Sequence, residues 1–338
     1  MGKRTFIVAE LSANHNHDLE LACRTIVAAK EAGADAVKIQ SYTPDTITID
    51  CDKPCFMTDE NSLWAGQTLY SLYQKAYTPF EWHEPLFRFA KEQGILLFST
   101  PFDNTAVDFL ESLDNPIYKI ASFELVDINL IRYAARLGKP MILSIGIATE
   151  EEILEAVHVC REVGNHDITL LQCVSEYPAA LEDMNLSMIP DITERFGVKA
   201  GLSDHTMDAL ASTIGVGLGA CVIEKHFILD RSLGGPDAAF SIEPKEFQKM
   251  VQTIRTVEKT IGKVDYSITP KKKINRRFAR SLFAVKDIHA GEVLTAENIR
   301  SIRPGYGLAP KYLSTVLGKC ATTEIKRGTP IDWKLIEE

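Results

Sequence analysis

The sequence predicts an α/β chain in which a (β/α)8 TIM barrel is followed by a small β-rich domain. Three observations carry that prediction. Short runs rich in Val, Ile and Leu alternate with stretches of helical periodicity. Eight such units fill roughly 260 residues, the usual size of a (β/α)8 barrel. After Gly262 the alternation gives way to a basic stretch and then to short runs broken by turn residues.

Strands are expected at Phe6–Glu10, Ala36–Gln40, Ile95–Ser99, Ile117–Ala121, Met141–Ser144, Ile168–Cys173, Val198–Leu202 and Cys221–His226. Helices are expected at Leu19–Ala32, Glu81–Gln93, Asn104–Leu113, Glu150–Val163, Asp208–Leu218 and Glu246–Ile261, several opening with Asp, Asn or Thr at the N-cap. The same alternation fits an open doubly wound sheet, and the count of eight favours closure. The connection Ser41–Pro79 is far longer than usual, and Trp64, Tyr70, Tyr73, Tyr77, Phe80 and Trp82 lie in or just after it. It is read as an element that covers a substrate, with a self-packed surface loop as the plainer alternative.

The expected division is a catalytic barrel at 1–262, a basic and helix-poor linker at 263–280, and a small domain at 281–338. The run from Lys271 to Arg280 is either a solvated tether or a surface for subunit contact or phosphate attraction.

The 338 residues carry 37 Lys+Arg and 46 Asp+Glu, a net charge of −9, which argues against a nucleic-acid partner. Seven scattered cysteines form neither a disulfide framework nor a paired zinc motif. The N-terminal apolar run is too short for a signal peptide, and no later run could span a membrane. A cytoplasmic protein with no membrane partner is expected.

Barrel enzymes place their chemistry at the C-terminal ends of the strands. Those ends are polar here: Glu10, then Asn14-His15-Asn16; Lys38 and Gln40; Ser99 and Thr100; Lys119 and Ser122; Ser144; Gln172, Ser175 and Tyr177; Ser203, Asp204 and His205; Glu224 and His226. A lysine inside an apolar strand is costly unless an anion meets it, so Lys38 and Lys119 together point to a bound phosphate or carboxylate. Either alone could instead pair internally with Glu10 or Glu224. His205 and His226 end consecutive strands, a placement that suits two ligands of one divalent ion or a hydrogen-bonded core pair. Glu10, Asp204 and Glu224 are the carboxylates available as base, further ligand or support.

Taken together, Ala9-Glu10-Leu-Ser-Ala-Asn14-His-Asn, Val37-Lys38-Ile-Gln40, Phe98-Ser-Thr-Pro-Phe102, Tyr118-Lys119-Ile-Ala-Ser122, Leu202-Ser203-Asp-His205-Thr and Glu224-Lys-His226-Phe resemble the sialic acid synthase family over the whole chain. Members join phosphoenolpyruvate to an N-acylated hexose to make a nine-carbon 2-keto acid. Residues 281–338, with Arg303-Pro-Gly-Tyr-Gly307, are similar to the antifreeze-like (SAF) domain appended to these enzymes. Leu63–Tyr70 and Leu72–His83 resemble the branch that makes pseudaminic acid, which implies 2,4-diacetamido-2,4,6-trideoxy-altrose as acceptor; the neuraminate and legionaminate branches are the alternatives. Independently of the resemblance, a barrel with two histidines and rim carboxylates also fits a metal-dependent hydrolase, and Asn14-His15-Asn16-His17 contains a His-x-His.

The resemblance implies that Lys38, Lys119, Ser122, Ser144, Ser175 and Ser203 hold phosphoenolpyruvate, Ser175 standing where the neuraminate branch has Asn. It implies that His205 and His226 hold a divalent Mn, Mg or Co ion, with Glu10 and these two histidines catalytic. Gln40, Thr100, Phe102, Tyr177, Glu224, Asp237 and Arg303 are implied to contact the sugar. Arg303 would reach over the barrel of a partner subunit in a domain-swapped homodimer. The product would serve cell-surface glycan or flagellin glycosylation.

Overall fold

The eight apolar runs form eight parallel strands that close on themselves: β1 (Phe6–Glu10), β2 (Ala36–Ser41), β3 (Leu96–Pro101), β4 (Tyr118–Ile120), β5 (Met141–Ser144), β6 (Ile168–Cys173), β7 (Lys199–Asp204) and β8 (Val222–His226). Each pairs with the next, and β8 pairs with β1, setting Glu10 against both Lys38 and His226. The computed structural model describes residues 4–60 and 62–337. They fall into two compact units, Met1–Lys263 and Val264–Glu338.

Strand periodicity divides the barrel into an inside and an outside. Ile7, Ala9, Val37 and Ile39 point outward into the apolar layer beneath the helices. Val8, Ala36, Phe98, Ile142, Leu171 and Val222 pack together as a separate apolar plug within the barrel. On β7 the corresponding position is Gly201, where a Cβ would lie 2.5 Å from Leu171 Cδ2 and 2.7 Å from the Val222 carbonyl oxygen. Only glycine leaves that space for its neighbours.

The helices lie close to their expected places, for example Leu19–Glu31, Glu150–Glu162 and Pro244–Ile261. Asp18 caps the first by accepting from the Glu20 and Leu21 amides, and Thr149 with Glu152 forms a capping box at the second. The strand ends shift more. β3 runs on to Pro101 and β7 to Asp204, because polar residues continue the ladder past the apolar stretch that marked them. The insertion holds a helix at Leu69–Ala76 capped by Thr68, and Thr58 Oγ1 bonds the carbonyls of Trp64 and Gln67.

In the second unit, β9 (Ser281–Ala284) and β10 (Ile299–Ile302) pair antiparallel over a small core including Leu282, Ile288, Leu294 and Ile331. The expectation of a helix-poor basic stretch is corrected. Pro270–Asn275 is helical, started by Thr269, whose side chain accepts from the Lys272 amide, and by Pro270 at the first position. Among the described residues no helix is long and apolar enough to cross a membrane.

Candidate active site

Two residues beyond the plug, every strand presents a side chain at the next interior level: Glu10, Lys38, Thr100, Lys119, Ser144, Cys173, Ser203 and Glu224. All are buried. Lys38 Nζ forms an ion pair with Glu10 Oε2, lies 3.6 Å from Glu224 Oε1 and donates to Thr100 Oγ1 at 3.2 Å. Ser203 Oγ donates to Glu224 Oε1 at 3.1 Å. Lys119 Nζ donates to Ser144 Oγ at 2.7 Å and to the Ile120 carbonyl at 3.0 Å. The internal ion pair expected as one alternative forms at Lys38, which has carboxylate partners, whereas Lys119 has only neutral hydrogen-bond acceptors.

The charges adjust to this setting. Burial, with the like charge of Glu224, raises Glu10 to about 7 despite Lys38. For Glu224 burial is outweighed by Lys38 and Lys119, which hold it below the usual range. Burial lowers Lys119. A carboxyl that titrates near neutrality therefore stands beside a carboxylate that stays ionised.

Above Lys119 lies a small cradle. Ser122 Oγ accepts from Ser175 Oγ at 3.1 Å and from the Ile147 amide at 3.1 Å. At Gly146 a Cβ would meet Cys173 Sγ at 2.6 Å, Ser175 Oγ at 2.7 Å and Ser122 Oγ at 3.0 Å. Hydroxyls gathered around a position that admits only glycine have the chemistry to seat a compact anion.

His205 and His226 face each other with ring centres 5.5 Å apart. His205 Nδ1–H donates to the Val174 carbonyl at 2.7 Å, which leaves Nε2 with its lone pair. His226 Nδ1 is buried with no hydrogen-bond partner. Burial keeps His205 neutral down to about 4 and holds His226 well below its ordinary value. Two neutral imidazoles at this spacing can both reach one ion through metal–nitrogen bonds of about 2.1 Å, so the donor set fits a divalent cation. Among the described residues no group of three His, Cys, Asp or Glu is placed to hold a metal, so most of the coordination sphere would belong to water and substrate.

Tyr177 stacks on His205 at 4.3 Å, and Phe240 packs on Tyr177 and on His226 at 4.9 Å each. Trp64 of the insertion closes this group from outside, 6.1 Å from Tyr177 and 6.2 Å from Phe240. Asp237 is buried, accepts from the Ala13 amide at 3.2 Å and is raised by desolvation. Gln40 is half-buried two residues beyond Lys38 on β2, and Phe102 lies just after β3 against Tyr42 at 5.0 Å. Arg303 is exposed in the second unit, just after β10.

Some readings of the strand ends are corrected by side-chain parity. Asp204 and Gln172 sit one residue off the interior register. The Asp204 carboxylate is saturated by Lys225 at 3.0 Å, Thr206 and Ser212, so it is neither base nor ligand. Gln172 donates to the Met184 carbonyl. His15 is buried, shares a hydrogen bond with Thr78 at 3.3 Å and packs on Trp82, and His17 packs on Tyr77 at 5.0 Å, so the His-x-His is engaged by the insertion and the helix after it. Sequence reasoning missed Phe240, Gly146, Cys173 and Glu124. Glu124 follows Ser122 by two residues on the turn after β4; one carboxyl oxygen is buried without a hydrogen-bond partner, and burial raises it to about 7 against the pull of Lys119.

The model of the NeuB family matches residues 25–266, and that of the SAF domain residues 279–337. The chain belongs to the NeuB family. Among NeuB relatives, a pseudaminic acid synthase from Helicobacter pylori is 50% identical over 332 residues, covering 98% of this chain and 97% of the relative. An N,N'-diacetyllegionaminic acid synthase from Legionella pneumophila is 35% identical, covering 98% and 94%. A solved structure of a putative spore coat polysaccharide biosynthesis protein E from Chromobacterium violaceum superposes with a TM-score of 0.79 at 26% identity, covering 99% of this chain and all of that one. The neighbours share the barrel and the SAF domain. NeuB-family relatives are phosphoenolpyruvate-dependent synthases, so the chain is an enzyme of transferase type.

Proposed function

We propose that this enzyme condenses phosphoenolpyruvate with 2,4-diacetamido-2,4,6-trideoxy-altrose to give pseudaminic acid and phosphate. The observation that carries the reading is the interior polar level, where Lys119 and the Ser122–Gly146–Ser175 cradle stand beside the Glu10–Lys38–Glu224 cluster and the His205–His226 pair. Identity of 50% to a pseudaminic acid synthase, against 35% to a legionaminic acid synthase, supports this acceptor over the neuraminate or legionaminate alternatives. The hydrolase alternative is not favoured.

In the reaction a new C–C bond joins C3 of phosphoenolpyruvate to the aldehyde C1 of the open-chain sugar. Water adds at C2, and phosphate leaves with cleavage of its bond to C2. Lys119, Ser144, Ser122 and Ser175 hold the phosphate end, while Lys38 and Ser203 hold the carboxylate. Lys119 balances the departing phosphate, for which the cluster supplies no other unpaired cation. Glu10, raised to about 7, accepts the proton of the adding water at a carboxyl oxygen, and Glu224 stays ionised to balance charge as it does so. His205 and His226 would hold the divalent ion, which supplies Lewis-acid polarisation of the aldehyde oxygen. Gln40, Thr100, Phe102, Tyr177 and Asp237 line the acceptor's path, and the aromatic walls cover its apolar groups.

The same reading includes a homodimer in which Arg303 of the partner subunit covers the site, a cytoplasmic location and use of the product in surface glycans. Phosphate release from phosphoenolpyruvate, measured with candidate sugars with and without chelator, tests the proposal. Release that depends on the 6-deoxy diacetamido sugar is expected, and no release with any N-acylated hexose would overturn it.

A further inference from the structure

Trp64 has two different surroundings. Its ring packs toward Tyr177 and Phe240, and it also lines a cavity of about 620 Å³ between the insertion and the loop after β8. Its Nε1–H donates to the Pro236 carbonyl at 2.8 Å, next to Asp237, which fixes the indole as a wall common to both. The cavity wall combines the hydrocarbon of Leu63 and Leu72 with the side-chain amides of Asn16, Gln67 and Gln74, the His17 ring and Lys75, whose ammonium donates to Gln67 Oε1 at 2.9 Å; among the described residues no carboxylate lines it.

The wall is built rather than incidental. Asn16 is held at φ +46°, a left-handed conformation costly for a non-glycine residue, and its Nδ2 donates to the Leu233 carbonyl at 3.0 Å. At Gly235 a Cβ would lie 2.3 Å from Asn16 Oδ1, so the two loops fit only with glycine there. Amides flanked by apolar carbon match the donors, acceptors and methyl of an acetamido group.

Position along the mouth completes the argument. Phe240 lies 4.9 Å from His226, and Trp64 lies 6.2 Å beyond Phe240. An acceptor whose aldehyde sits at the histidines extends its 4-acetamido arm along Phe240 toward Trp64. We propose that the cavity behind Trp64 is an acylamino subsite that takes the 4-acetamido arm of the acceptor, with Trp64 as the residue that sets this preference. The inference rests on the acceptor assigned under Proposed function.

The test uses the full chain and phosphate release with two acceptors, the 2,4-diacetamido sugar and its counterpart with a 4-hydroxyl in place of the second acetamido group. The Trp64→Ala variant is expected to raise KM for the diacetamido acceptor more than for the 4-hydroxyl one. The ratio of kcat/KM values should fall at least about ten-fold, in the range of a lost pocket contact, with kcat for the diacetamido sugar changed much less. Gln74→Leu, on the cavity wall, should move the ratio in the same direction and decides the matter if Trp64→Ala lowers the melting temperature sharply. Equal effects on both acceptors, or none, overturn the subsite. If the wild-type chain releases no phosphate with the diacetamido sugar, the functional reading itself fails; release by wild type without altered preference in the variants rejects the subsite alone.

Discussion

Lys38 and Lys119 stand at the same interior level two strands apart, yet only Lys38 is neutralised by protein carboxylates. Lys119 is thus the cation left to balance the phosphate of the substrate. Lys119→Met is expected to raise KM for phosphoenolpyruvate at least about ten-fold, the value of one lost charge-assisted contact, while the melting temperature holds or rises. Lys38→Met leaves Glu10 and Glu224 facing each other and should destabilise the fold by up to about 3–5 kcal/mol. Substrate kinetics and thermal melts of both variants check the contrast, which fails if the two behave alike.

Glu10 works as a base only after losing its proton, and burial places that loss at about 7. Activity should therefore rise with pH along an acidic limb centred near neutrality in kcat/KM, a property of the coupled cluster. Glu10→Gln should cut kcat by about 10²–10⁴-fold and abolish the limb. A pH–rate profile of wild type and variant decides it.

His226→Ala removes one of two imidazoles and is expected to abolish turnover with the fold intact by circular dichroism. Chelation of wild type should mimic it, and equilibrium dialysis should show lost uptake of the divalent ion. Full activity of His226→Ala after chelation would remove the metal assignment.

Gly146→Ala places a Cβ 2.6–3.0 Å from Cys173, Ser175 and Ser122. The cradle must open to admit it. Phosphoenolpyruvate affinity should drop by about ten-fold or more while acceptor KM changes less, which initial-rate kinetics in both substrates would show. A variant with unchanged phosphoenolpyruvate KM rejects the cradle as the anion seat.

His15, His83 and His205 are each lowered by burial to about 4, and His226 is also held well below its ordinary value by burial. The unfolded chain binds protons at these sites below about 6.5, so stability rises with pH from about 4 to 6.5 and is lost on acidification. Glu10 and Glu124, both raised to about 7, act in the opposite direction over part of that window. Asp237, raised by desolvation, acts the same way; with four histidines against three carboxyls, a net loss of stability toward pH 4 is expected in urea titrations.

The barrel was legible because its strands are short apolar runs, and the site was legible because a polar residue interrupts each run at the same depth. Lys38, Lys119 and Glu224 announced themselves as charges in apolar company. Asp204 and Gln172 misled because a strand end read as a cluster hides which face each residue takes. Phe240, Gly146 and Glu124 lay beyond sequence reading for another reason: they sit on turns, where the fold of the loop brings Glu124 toward Lys119 and the packing of neighbouring strand ends brings Phe240 and Gly146 to Tyr177 and Ser122.

The Asp204–Lys225 pair, set aside above as chemistry, acts on the histidines by position. Asp204 directly precedes His205, Lys225 directly precedes His226, and their bond at 3.0 Å ties the two strands together on the outer side of the wall. The rivet gauges the gap between the imidazoles from behind, so the jaw is cut to width by the scaffold before anything enters it.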